Sequence, residues 1–190
     1  AADPYASPVP PDDPPGTVCA VLPGDAGARP RPYTLVTYAS TVAATAAGAH
    51  PTHWGHCGVC STLPNLAAYM RQNDLTKPVR ACAFADAPDG GTAMDGDVAC
   101  LEQLGFDLPC AQIWAYNTNN TRNACLQVCL DNFASSYNQP DGTLNPCLQC
   151  DEEMSGPVFK AVAGRTRRNS GLPNAICRPC SEVQPLVHDY

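Results

Sequence analysis

The apolar positions change period several times along the chain, and each change marks an element. Residues 18–22 and 33–39 are short runs rich in Val, Leu and Tyr, bounded by proline, glycine or alanine, and they predict strands. Residues 79–84 read as a third strand, whereas residues 40–56 carry little periodic signal. Helical spacing begins near Thr62 or Leu63. Pro64 falls in a first turn, Leu63, Leu66 and Met70 form a stripe, and Asn73-Asp74 ends it. Thr92 or Asp97 can cap a second helix carrying Val98, Leu101 and Leu104, with Gly105 at its carboxyl end. Asp107, Leu108 and Pro109 open the longest one. Cys110, Ile113, Trp114, Cys125, Val128, Cys129 and Phe133 fit its apolar face, broken by a polar stretch at 117–123. A last helix is expected over 157–169, with Ser155 as cap and Gly171 and Pro173 as the stop. The pattern predicts an α+β fold, mostly helical, with its few short strands near the amino end.

Ahead of these elements, residues 1–16 hold Pro4, Pro8, Pro10, Pro11, Pro14 and Pro15 and almost no large apolar side chain. Such a segment is extended and PPII-like, with a reach of about 50 Å at roughly 3 Å per residue. We therefore divide the chain into an arm, 1–16, and a single disulfide-rich globular domain, 17–190. Ordering the arm needs a dock, on its own body or on a neighbour, and the neighbour is the expected one.

Cysteine changes the picture most. Twelve cysteines in 190 residues, Cys19, Cys57, Cys60, Cys82, Cys100, Cys110, Cys125, Cys129, Cys147, Cys150, Cys177 and Cys180, are an even set at high density. They predict six disulfides and an oxidising compartment. Ala1-Ala2-Asp3 in place of an initiator methionine reads as what remains after signal peptidase cleavage. Asn119-Asn120-Thr121 is a sequon, expected to offer a glycosylation acceptor at Asn119 on an exposed surface. No apolar run approaches the length needed to cross a bilayer, so no membrane span is expected. The protein is expected to be secreted, or displayed at the cell surface.

The net charge is −7, yet Lys160, Arg165, Arg167, Arg168 and Arg178 fall in 21 residues that hold no acid. An acidic chain of this kind repels a phosphate backbone broadly, so no nucleic-acid partner is expected. The five bases are expected on an exposed helix, binding an anion such as an acidic glycan or an acidic neighbour.

Three constellations could carry chemistry. Cys57-Gly58-Val59-Cys60 lies ahead of a helix start, where helix-end amides favour a thiolate, as in thioredoxin-like sites. It also echoes the papain-like element, with Cys60 as nucleophile and His188 as its base. Against both, exported proteins use closely spaced cysteines as anchors for different bridges. Cys57 and Cys60 are therefore expected to bond separate partners, and no catalytic residue is assigned. His50, His53 and His56 recur every third residue and could hold zinc or copper, although Pro51 and Gly55 favour a loop. No cofactor is the preferred reading. Cys147/Cys150 and Cys177/Cys180 have the spacing of a four-thiolate zinc site, but disulfides are preferred in an exported chain.

The stretch 55–61 and the run from Cys147 through Gly164-Arg165-Thr166-Arg167-Arg168 to Cys180 resemble predicted secreted, cysteine-rich proteins of algae and oomycete-like microbes. The resemblance spans much of residues 33–190. It implies export and a stapled fold, and it brings no activity or catalytic residue with it.

Taken together, these readings point to an extracellular or cell-surface structural or interaction protein that self-assembles, as an oligomer or filament, through its arm. The alternatives are a secreted enzyme using Cys57/Cys60 and the histidines, by thiol-redox or metal chemistry, or a glycan- or metal-binding module.

Overall fold

The computed structural model describes residues 2–85 and 92–188. It is a disulfide-rich α+β fold. A three-stranded antiparallel sheet, ordered β2-β1-β3, is made by β1 (Val18–Pro23), β2 (Tyr33–Tyr38) and β3 (His50–Trp54). β1 is central, and Val18, Cys19, Ala20 and Val21 are all buried. Their continuous apolar run suits a strand covered on both faces. On one side Val18 and Ala20 pack with Ala44 and Ala49, which Leu22, Tyr38 and Trp54 flank.

The predicted third strand is corrected in both place and type. β3 arises in the quiet stretch, because pairing to β1 supplies what propensity lacks. The register shifts between Cys19 and Ala20, and Pro51 sits beside that irregularity, where a strand tolerates proline. Ser40 caps a short helix, α1 (Thr41–Ala46), in the same stretch by accepting from the Ala43 N–H at 3.1 Å. Residues 79–84 are not a strand. They fall largely in α3 (Thr76–Cys82), where the Asp74 carboxylate accepts the N–H groups of Thr76 and Lys77. Pro78 lies in that first turn, where its missing N–H costs nothing.

Where local signals are strong, the expected helices form. α2 (Leu63–Arg71) is capped by Thr62, α4 (Ala93–Gln103) by a Thr92/Asp95 capping box, and α5 (Leu108–Asp131) by Asp107. The α2 stripe differs: Leu66 is buried, but Tyr69 rather than Met70 faces inward. α6 (Pro146–Met154) was not expected. Asn145 caps it, accepting the Leu148 N–H at 2.9 Å, and the Cys147/Cys150 pair lies inside it. α7 (Gly156–Ala163) ends six residues short of the expected last helical position, 169, at Gly164 with φ +70°.

The main core lies among α2, α4, α5 and α7. Tyr69 meets Phe106 edge-on at 5.3 Å between ring centroids, and Trp114 packs on Phe159 at 4.6 Å. Among the described residues, no helix is long and apolar enough to cross a membrane.

Candidate interaction site

The arm lies on its own body, held at two points. Asp3 accepts the Tyr5 N–H at 2.9 Å and caps a single 3-10 turn, Pro4–Ala6. That turn aims Tyr5 into the main core, where its hydroxyl is shared between Asn117 Oδ1 and the Ser155 carbonyl, each at 3.0 Å. The second anchor is Asp13, whose Oδ2 accepts the His56 backbone N–H at 2.9 Å and its ring Nδ1 at 2.7 Å. The other ring nitrogen, Nε2, faces the Ala161 carbonyl at 2.7 Å. Between the anchors, residues 6–12 are exposed.

The polar interruption at 117–123 does not break α5; it forms the seat for Tyr5. Asn117 donates to Asp151 at 3.1 Å, Asn120 donates to Ser155 Oγ at 3.0 Å, and Thr121 bonds both Asp151 and Ser155. A run of Asn and Thr at helical spacing inside an apolar face was the visible sign of this seam. The sequon therefore belongs to a helix: Asn119 is half-buried in α5, and Thr121 is turned toward α6 and α7 rather than lying on an open surface.

The basic segment is mostly structural, contrary to the expected exposed helix. Arg165 is fully buried. Its guanidinium donates to the Thr52 carbonyl at 2.8 Å, Thr52 Oγ1 at 2.6 Å, the Cys60 and Ser61 carbonyls at 3.2 and 3.0 Å, and Ser170 Oγ at 3.2 Å. Arg167 is also buried, donating to the carbonyls of Pro173, Tyr69 and Gln72. Both side chains turn inward because Gly164 ends α7 beside them. Gly164 and Gly58 press backbone to backbone, and a Cβ on either would overlap the other chain segment.

Arg168, Arg178 and Lys160 converge on one acid, Glu152, at 2.6, 2.7 and 3.3 Å. Burial works to raise the Glu152 carboxyl, but these three cations hold it below the usual carboxylate range. The acidic neighbour of this segment is thus internal. Lys160 and Arg168 also line a polar cleft of about 330 Å³ with Asp13, Trp54, Asn169 and Glu182.

The three histidines do not converge as ligands. His53 is fully buried; its Nδ1 donates to the Trp54 carbonyl at 2.9 Å, so Nε2 is the bare nitrogen and accepts the Ser61 hydroxyl at 2.7 Å. Ser61 Oγ in turn accepts the Gly58 N–H at 2.8 Å. A hydroxyl on a neutral imidazole has the form of a nucleophile–base pair, yet both residues are fully buried. His50 stands on β3, half-buried, and His56 serves the arm. Among the described residues, no group of three or more His, Cys, Asp or Glu is placed to hold a metal ion.

Burial first, then the charge of Arg165, pushes the His53 imidazole down to about 3. An unfolded histidine titrates near 6.5, so between about 6.5 and about 3 the unfolded chain binds a proton that the folded chain does not. Stability therefore falls as the pH falls through this window, by up to about 1.4 kcal/mol per pH unit. His56 acts in the opposite sense. Burial lowers it, but the Asp13 and Ala161 bonds outweigh this and raise it. Its contribution is complete below about 6.5 and is lost as the pH rises through the raised value. We predict a shallower acid slope for His53→Gln than for the intact protein in urea unfolding between pH 7 and pH 4. Parallel slopes would remove His53 as the cause.

The cysteines separate into two groups. Cys57 bonds Cys19 and Cys60 bonds Cys110, so the C-x-x-C pair is split between the sheet and α5. Neither carries a thiol for redox or nucleophilic chemistry, so the Cys60–His188 pairing does not form; His188 Nε2 lies 2.8 Å from the Ser170 carbonyl. Cys82 bonds Cys100, Cys125 bonds Cys150 and Cys129 bonds Cys147. The last two bridges tie α5 to α6 and take Cys147 and Cys150 away from any four-thiolate site. Cys177 and Cys180, each expected to be disulfide-bonded, are both unbonded and exposed.

Compared with known proteins, the chain matches no curated protein and no solved structure. Residues 94–186, from α4 to just beyond the Cys177/Cys180 segment, match the model of a family of unknown function (DUF8771), which leaves the arm and the sheet outside the match.

Proposed function

We propose that this is a secreted or cell-surface structural or interaction protein that self-assembles, with its arm as the exchangeable contact. Five disulfides and the lack of an apolar spanning helix among the described residues fit a secreted protein. The observation that carries the assembly reading is the two-point attachment of the arm. Tyr5 and Asp13 dock on side chains and carbonyls of the body, while the span between them is exposed. A second copy offers the same seat, so exchanging Tyr5 between copies replaces each contact with an identical one. Pro8, Pro10 and Pro11 stiffen the span, and a stiff hinge favours opening outward over folding back.

Deleting residues 1–16 tests the reading by light scattering or sedimentation over a range of concentrations, in reductant too mild to open buried bridges. Assembly is expected to weaken by roughly tenfold or more, the equivalent of about 1.4 kcal/mol. Tyr5→Ala, which leaves the hinge intact, should weaken it in the same direction. If both variants assemble as well as the intact chain, the arm is not the contact.

The polar cleft under Asp13 favours one second reading, a glycan-binding module. Trp54 offers an apolar ring and Lys160 and Arg168 offer donors toward an acidic sugar. An acidic glycan array would separate this from simple self-association.

A further inference from the structure

Ten cysteines are consumed in bridges, and the two left over share one short segment. That segment is clamped along its length. The Cys177 N–H donates to Asn138 Oδ1 at 3.0 Å, and Asn138 Nδ2 donates back to the Cys177 carbonyl at 3.0 Å. Arg178 turns inward to Glu152 at 2.7 Å and keeps only 9% of its side chain exposed. Beyond a 3-10 turn, Cys180–Glu182, the Gln184 N–H reaches the Arg168 carbonyl at 2.9 Å.

The clamped conformation decides what the thiols can meet. Pro179 has φ −53° and ψ 139°, which is PPII geometry, and a residue before proline is itself biased to extended backbone. Residues 177–179 carry no turn or bend, and at a PPII rise of roughly 3.1 Å per residue the two Cα atoms stand about 9 Å apart. A disulfide needs a Cα separation of about 4.4–6.8 Å. This C-x-x-C therefore does not close on itself as a redox loop does. PPII repeats every third residue, so positions 177 and 180 fall on one face of the segment. Arg178, drawn to Glu152, leaves that face clear.

We propose that Cys177 and Cys180 form a covalent self-association site, in which two copies pair antiparallel through two disulfides, each joining Cys177 of one copy to the partner's Cys180. The occupant is a second copy because its two thiols have the same spacing by identity. A two-fold antiparallel approach then brings both pairs into register at once. The oxidant is a small-molecule disulfide of the glutathione class. The Cys177 thiolate attacks one sulfur of that disulfide, forming a mixed disulfide and releasing one thiol. The partner's Cys180 thiolate then attacks the mixed disulfide at the Cys177 sulfur, forming the interchain bond and releasing the second thiol. For each bond, two protein thiols are oxidised, one small disulfide is reduced, and the two protons leave on the two released thiols.

The inference rests on the reading of a self-assembling protein but not on the arm. Its test uses the full chain with its five bridges intact, in a glutathione redox buffer, read on non-reducing gels and by mapping disulfide-linked peptides. The expected product has twice the chain mass, collapses with reductant, and yields a 177-to-180 cross-link between isotopically distinct copies. Cys177→Ser alone and Cys180→Ser alone should each lose the covalent dimer while keeping the intact chain's circular dichroism. An equimolar mixture of the two variants should regain it through a single bond. The chain lacking residues 1–16 should still form it, which separates this site from the arm. The proposal is overturned by a Cys177–Cys180 bond within a monomer, a stable mixed disulfide or persistently free thiols. It is equally overturned by either single variant dimerising like the intact chain, or by a dimer that a zinc chelator rather than a reductant dissolves.

Discussion

Replacing Arg165 with methionine is expected to lower the stability of the fold by about 3 kcal/mol or more, because three buried carbonyls lose a donor at about 1–3 kcal/mol each. The loss has two sources. Arg165 joins β3 to the start of α2 and to the segment after α7, through Thr52, Cys60, Ser61 and Ser170. Methionine fills most of the volume but leaves the Thr52, Cys60 and Ser61 carbonyls without this donor, and buried unpaired groups cost about 1–3 kcal/mol each. Arg165→Lys should recover only a minor part, because an ammonium is a point donor and cannot span a planar fork. As a control, exposed Arg29, which bonds the neighbouring Ala26 and Ala28 carbonyls, should tolerate methionine with a change within about 0.5 kcal/mol. Urea unfolding of the three variants decides the matter. A loss at Arg165→Met below about 1 kcal/mol would mean that the surroundings repack or hydrate freely.

The second large effect belongs to Cys60–Cys110. This bridge closes 50 residues, and both sulfurs lie in the main core, fully buried. Chain-entropy arguments assign about 4 kcal/mol to a loop of that length and about 3 kcal/mol to one of 18 residues. Converting the pair to alanines also opens space beside Leu66 and Ile113 in the same cluster, which adds to the loss. The Cys60/Cys110 double variant should therefore unfold at lower denaturant than the Cys82/Cys100 double variant, whose bridge closes 18 residues and ends at a half-buried cysteine. Equal midpoints, or the reverse order, would show that loop length and burial do not set the ranking.

Both effects arise where distant segments meet, and the sequence was least informative there. Thr62, Thr92 and Asp107 announced their helices because a cap acts on N–H groups only two or three residues away. Asn145 with Pro146 carried the same signal for α6, but the cysteines behind it drew the reading toward disulfide-bearing loops. Val79 and neighbouring apolar residues suggested a strand at 79–84, whereas Asp74 upstream and the bridge from Cys82 to Cys100 make the segment helical. His50, His53 and His56 read as possible ligands because every third residue shares a face on a helix. In β3 and the loop after it, that spacing sends one to the core, one to the arm and leaves one half-buried.

The basic segment shows the same limit from the side of charge. Five bases without an acid predict a solvated, anion-seeking face, because charge density along a chain says nothing of who lies opposite. Glu152, eight residues before Lys160, gathers three of them, and two arginines vanish into the core on backbone carbonyls that no sequence pattern marks.

What the sequence determined by itself is everything governed by neighbours a few residues apart and by bulk chemistry. That covers the stiff extended arm, the capped helices, the first two strands, the mostly helical α+β class and the cysteine density of a stapled chain. What only the tertiary structure decided is who pairs with whom: β3 with β1, Arg165 with three chain segments, Tyr5 with α5, and five bridges that leave Cys177 and Cys180 facing outward. The physical reason is range. Caps, proline and glycine act within about a turn of backbone, whereas bridge partners, buried charges and strand pairing are set by packing that closes loops of tens of residues at small extra entropic cost.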